Sequence, residues 1–184
     1  MRSLLIFVLL MSGFIPTISY ADTAEERRLT ISTSIFPKIV ALDQQLTTKT
    51  APDGNLYLGV VYIEDEDNAK KTALSIRNKV KKLAGITLKI ENIPLSQILK
   101  VQNRRYAGLL LSEKFFDKDL IDIITFSSEQ NILLFSPFDG DIEKGVSSSM
   151  FVGAKIRPYF NLSALKEANI QLRPSILKVS KTYE

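Results

Sequence analysis

The chain holds neither cysteine nor histidine, so its chemistry rests on carboxylates, lysines, tyrosines and hydroxyls. Thiol nucleophiles, imidazole bases, haem ligation by histidine and ordinary zinc sites are excluded. Three clusters among the remaining groups have spacings that could act. Glu64-Asp65-Glu66-Asp67 follows an apolar run and opens a helix pattern. Carboxylates at the carboxyl end of a parallel strand could hold a cation. The spacing fits no calcium loop, however, and the same charges suit a solvated helix start. Asp139-Gly140-Asp141 could be a metal or catalytic loop, but a turn between elements accounts for it. Ser136 and Lys155-Ile156-Arg157-Pro158, after the acidic cluster, echo the order of a phosphoryl-accepting site. The acceptor Asp is missing, because the third apolar run ends at Ser112-Glu113. The echo is therefore read as shared topology without shared function. No glycine-rich phosphate loop and no nucleophile elbow is present. The sequence predicts a protein that is not an enzyme and carries no cofactor or metal.

The elements that must position these groups alternate. Glu25 to Leu46 reads as a helix with Ile35, Ile39, Leu42 and Leu46 on one face, and Pro37 kinks it or starts its second half. Asn55 to Ile63 is almost wholly apolar, like a strand covered on both faces. Ala69 to Leu83 is an amphipathic helix with Gly85 suited to its C-terminal cap. Ile86 to Ile93 alternates like a strand, and Leu95 to Gln102 is a short helix. Tyr106 to Leu111 is a third strand, Phe115 to Phe126 a third amphipathic helix and Asn131 to Phe135 a fourth strand. Such alternation with short connections implies a parallel sheet with right-handed crossovers. Ser148 to Val152 and Lys155 to Phe160 then flank Gly153-Ala154, which suits a tight hairpin with glycine first in the turn. Asn161 is expected to cap a helix over Leu162 to Ala168, and Asn169 to end it in the left-handed conformation. Pro174 suits the first turn of a last helix, Ser175 to Lys181. The expected fold is a three-layer α/β sandwich, with a mostly parallel sheet and an antiparallel C-terminal edge hairpin.

The first 21 residues have the layout of a secretory signal peptide. Arg2 precedes an apolar run from Leu4 to Phe14, Pro16 breaks it, and Ser19-Tyr20-Ala21 supplies the small residues a signal peptidase reads. Cleavage is expected between Ala21 and Asp22. Residues 22–184 are then a single domain in the periplasm, without membrane insertion. The apolar run is short for a bilayer span. Arg2 is the only charge lost, so 24 basic residues become 23 against 20 acidic ones. That mild, interspersed excess argues against a nucleic-acid partner. Export also removes cytoplasmic phosphorelay chemistry.

The C-terminal stretch carries a family likeness. Lys155-Ile156-Arg157, Phe160-Asn161-Leu162, Ala164, Ala168-Asn169-Ile170, Leu172 and Ile176-Leu177 resemble the ending of the YfiR-like periplasmic family. The front helix from Ile35 to Leu42 resembles that family's hydrophobic first segment. Leu42-Asp43 replaces the family's Trp-Pro, Asn169 its helix-ending glycine and Arg173-Pro174 its Ser-Ser, and the cysteines of characterised members are missing. The resemblance implies a regulator that binds the extracytoplasmic domain of a membrane-bound signalling protein, a diguanylate cyclase or a sensor kinase. The alternative from the topology is a periplasmic small-molecule-binding module using the crevice at the strand ends. A homo-oligomer is left open. Ile156, Leu162, Ala164, Leu172 and Leu177 are expected to pack inward. The exposed partner-binding candidates are Arg157 and Tyr159 on the edge hairpin and Phe36 at the kinked front helix, because Arg and aromatic residues anchor interfaces.

Overall fold

The computed structural model describes residues 20–101 and 106–184. Most of the expected signal peptide, residues 1–19, lies outside them. No helix among the described residues is long and apolar enough to cross a membrane. Helix α1 (Tyr20–Val40) runs across the expected Ala21–Asp22 cleavage point and contains Pro37. It ends before Leu46. Asp43 turns the chain by accepting from the Gln45 amide, and the Gln44 amide leaves the helix to donate to Gln171. A short 3-10 turn follows over Leu46–Lys49.

Alternation then begins with β1 (Leu56–Tyr62), α2 (Glu66–Lys79), β2 (Lys82–Leu83), β3 (Ile86–Pro94), α3 (Leu95–Ile98), β4 (Tyr106–Leu111), α4 (Asp117–Glu129) and β5 (Leu133–Phe135). The C-terminal part is β6 (Ser148–Val152), β7 (Ile156–Asn161), α5 (Leu162–Glu167), α6 (Pro174–Leu177) and β8 (Lys181–Tyr183). Among the described residues these strands form one sheet in the order β2-β3-β1-β4-β5-β6-β7-β8. The pairs from β3 to β6 are parallel and β6–β7 is antiparallel.

Two hydrophobic clusters sandwich the sheet. Leu56, Leu58 and Val60 of β1 face α1, α2 and α5, and Tyr57 and Val61 face α3 and α4. The strand's period of two divides one apolar run between two cores. In β4 the register shifts at Ala107, so that Ala107 and Gly108 both serve the α1 side. Gly108 is required there: a Cβ would stand 2.7 Å from Val40 and 3.0 Å from Phe36. The fold is thus the expected three-layer α/β sandwich.

Several boundaries differ from the sequence expectation. Helix α2 starts at Glu66 because Asp65 accepts from the Asn68 amide as its N-cap. It stops at Lys79, since β2 and β3 form a hairpin through Ala84 and Gly85 at φ 48° and 82°. Two successive left-handed residues match the twist of a two-residue hairpin, so Gly85 is a turn residue and not a helix cap. The β6–β7 connection runs from Gly153 to Lys155, one residue longer than the expected turn, because Val152 pairs with Ile156. The last helix is cut to α6, and Lys181, Thr182 and Tyr183 leave it to pair with β7 in parallel. The outer edge of the sheet is therefore β8.

Asn161 and Asn169 behave as expected. The Asn161 side chain accepts from the Ala164 amide at 2.9 Å. Asn169 has φ 49°, and the amides of Asn169 and Ile170 close on Lys166 and Leu165. This is the paired bonding of a left-handed helix end. Far apart in sequence, the stretch after α1 is tied to the stretch before α6. The Arg173 amide donates to Leu42, Gln44 donates to Leu172 through its side chain, and Asp43 bridges Leu172.

Candidate functional site

The strand order reverses between β1 and β4. From β1 the chain moves to β3 on one side, then crosses to β4 on the other. In open α/β sheets ligands sit outside the carboxyl ends at such a switch point. A crevice of about 270 Å³ lies there, lined by Glu25, Glu26, Asp65, Asn68, Glu113 and Lys114 among others. Its floor is already occupied by a side chain. One carboxylate oxygen of Glu113 accepts from the amides of Ile63, Glu64 and Asp65 at 2.6, 3.0 and 3.1 Å. Three convergent amides form an anion-binding concavity, and this chain fills it with its own anion. The acidic run 64–67 is thereby a loop held by Glu113, a cap and the first turn of α2, where the helix dipole favours negative charge. Among the described residues no group of three or more acidic side chains converges as a metal site.

The loop after β5 is built around buried polar groups. Ser136 donates to Asp141, and the Phe138 amide donates to Ser136. Arg28 of α1, with its side chain 13% exposed, pairs with Asp139 at 2.8 Å and donates to the carbonyls of Pro137 and Met150. Asp139-Gly140-Asp141 is thus a structural turn, pinned by α1 and by Ser136. Burial pushes the Asp141 carboxyl above the ordinary 3.8, against the opposing pull of Ser136, Lys144 and Lys114.

That shift has a defined sign. The folded protein holds a proton on Asp141 more readily than the unfolded chain. Stability from this group is therefore full below the ordinary aspartate range and falls as pH rises toward the raised value. Asp141→Asn should flatten that fall. Urea melts of both proteins at pH steps upward from about 4 measure it, and equal slopes in the two proteins would refute the assignment.

The partner candidates separate into three environments. Phe36 is fully buried, with its ring centroid 5.8 Å from that of Phe135. It is a core residue and not an exposed anchor, because α1 turns this face onto Gly108 of the sheet. Tyr159 is largely buried, and its hydroxyl donates to Glu143 at 3.0 Å. Burial and that hydrogen bond push its phenol up. Arg157 is exposed beside the Phe151 ring. Ile156, expected inward, is instead 44% exposed next to its exposed partner Val152. The hairpin runs past the helical layers there, so neither face of its tip is covered. Leu172 is buried, and Leu162, Ala164 and Leu177 are half-buried. The residues that sequence reasoning missed are Phe151, Val152 and Lys181. Lys181 carries no signal, because the local sequence pattern around it is helical while the chain there pairs with β7. The Val152–Ile156 pair was legible only as strand.

No family model and no curated protein matches the sequence. Solved structures do match the fold. One is the ABC domain in complex with L-Trp from Streptococcus pneumonia, with a TM-score of 0.51 and 14% identity, over 78% of this chain and 61% of that one. Another is a conserved domain protein from Vibrio cholerae O1 biovar El Tor, with a TM-score of 0.50 and 13% identity, over 74% of this chain and 57% of that one. The chain thus spans about three fifths of the length of these structures. At such identities the likeness is one of fold alone.

Proposed function

We propose that the chain is an exported, non-enzymatic regulatory domain that binds the extracytoplasmic part of a membrane-bound signalling protein. The observation that supports this reading is the contrast between its two ends of chemistry. The switch-point crevice, where a solute would sit, has its amide donors taken by Glu113. The β6–β7 hairpin instead presents Val152, Ile156 and Arg157 to solvent. Apolar side chains beside an exposed arginine are the composition of an interface anchor. Export is part of the proposal and rests on the layout of residues 1–21.

The second reading is a periplasmic small-molecule-binding module. The open crevice of about 270 Å³ favours it, and the solved neighbour that holds L-Trp shares its fold. One experiment separates the two. The mature protein is used to capture any membrane-bound signalling protein whose gene adjoins its own, as wild type, Arg157→Glu and Ile156→Asp. Both substitutions are at exposed positions and should leave the melting temperature nearly unchanged. Each is expected to weaken capture at least tenfold, about the loss of one hot-spot contact. Undiminished capture by both variants rules out the hairpin, and absence of capture by wild type turns the reading toward the crevice.

A further inference from the structure

The face of the sheet at its C-terminal edge carries an arrangement that neither reading uses. Phe151 of β6 and Tyr159 of β7 stand with ring centroids 6.3 Å apart and planes at 79°. Two rings set at right angles form two walls of a cage. The ammonium of Lys181, from β8, sits inside it, 4.2 Å from the Phe151 centroid and 4.6 Å from that of Tyr159. Arg157 lies over Phe151 at the longer distance of 5.8 Å. Both Lys181 distances are well within the reach of a cation–π contact, which holds organic ammonium groups by the quadrupole of the rings.

The cage opens into a cavity of about 260 Å³, lined also by Phe138, Asp139 and Glu143. Its polar side is acidic. Glu143 lines the cavity and accepts from the Tyr159 hydroxyl through one of its two carboxylate oxygens, whereas the Asp139 charge is already paired with Arg28. Aromatic walls with a carboxylate at the rim select a cation over an anion or a neutral solute. The cation now in place is delivered by a short edge strand. β8 has three residues, all exposed, and pairs only with β7. A short exposed strand of this kind opens at low free energy.

We infer that Phe151, Tyr159 and Glu143 form a binding site for an alkylammonium group, and that Lys181 occupies it in place of the ligand. An incoming ammonium competes with Lys181 and releases it. The ligand is either a free amine or a lysine presented by another chain, and the cage chemistry is common to both. This inference differs from the hairpin reading, whose residues Ile156 and Val152 lie outside the cage; the two share only Arg157, over the Phe151 ring.

The test uses Lys181→Ala in the mature protein, with an unchanged circular dichroism spectrum as its entry condition. Calorimetric titrations use tetramethylammonium chloride as a free cation and acetyl-Gly-Lys-Gly-amide as a presented lysine. Lys181→Ala is expected to bind at least one probe about tenfold more tightly than wild type, since the internal competitor is gone. A gain for tetramethylammonium alone assigns the cage to a small amine, and a gain for the peptide assigns it to a lysine of another chain. The gain should vanish in Lys181→Ala/Phe151→Leu, which keeps apolar bulk but removes the ring face. No gain for either probe overturns the inference, and so does a gain that survives the Phe151 change.

Discussion

Phe36→Ala is expected to lower stability by about 3–5 kcal/mol, the range for deleting a buried phenylalanine. Its ring has no exposure and packs against Phe135. Gly108 lets the ring approach the strand closely. For a domain of this length that loss lowers the melting temperature by about 10 °C or more. Thermal melts of the two proteins decide the matter. A variant that melts with wild type but fails to capture the membrane sensor would return Phe36 to the surface role its position in the sequence suggested.

Asn161→Ala is the second large effect. The side chain works at both ends. Its oxygen caps α5 at the Ala164 amide, and its amide donates to the buried carbonyl of Ile142 at 2.9 Å. Losing the cap costs about 1 kcal/mol, and leaving a buried carbonyl unpaired costs about 1–3 kcal/mol more. The expected total is about 2–4 kcal/mol by urea denaturation. Asn161→Ser keeps a cap acceptor but cannot reach Ile142, so it should recover about 1 kcal/mol of that loss. If alanine and serine destabilise equally, capping is not what Asn161 contributes.

The layers of this fold were legible because unbroken apolar runs such as 56–61 and 106–111 admit little besides strands covered on both faces. Asn161 and Asn169 were legible because their geometry is set by neighbours within a few residues. Phe36 was not, since its partners Phe135 and Gly108 are far away in the chain. Lys181 was not, because pairing with β7 overrides the local helical pattern, and strand preference depends on such context. Glu113 shows the same limit. In the sequence it only stands where an acceptor aspartate is missing, yet it organises the loop after β1 from 50 residues away. Where a side chain serves a distant backbone, nothing in its own neighbourhood announces it.

The tie between residues 42–44 and 171–173 sets an order of events during folding. It joins positions 128 apart. Closing a flexible span of that length costs about 4 kcal/mol, while each backbone hydrogen bond returns about 1 kcal/mol. The tie cannot begin the fold. It closes only once the sheet has brought both segments together, after β1, β4 and their helices are in place. Asp43, within this seam, also forms a buried ion pair with Lys49 at 2.6 Å. The domain is thus closed from its core outward, by a seam whose two halves are the last to meet.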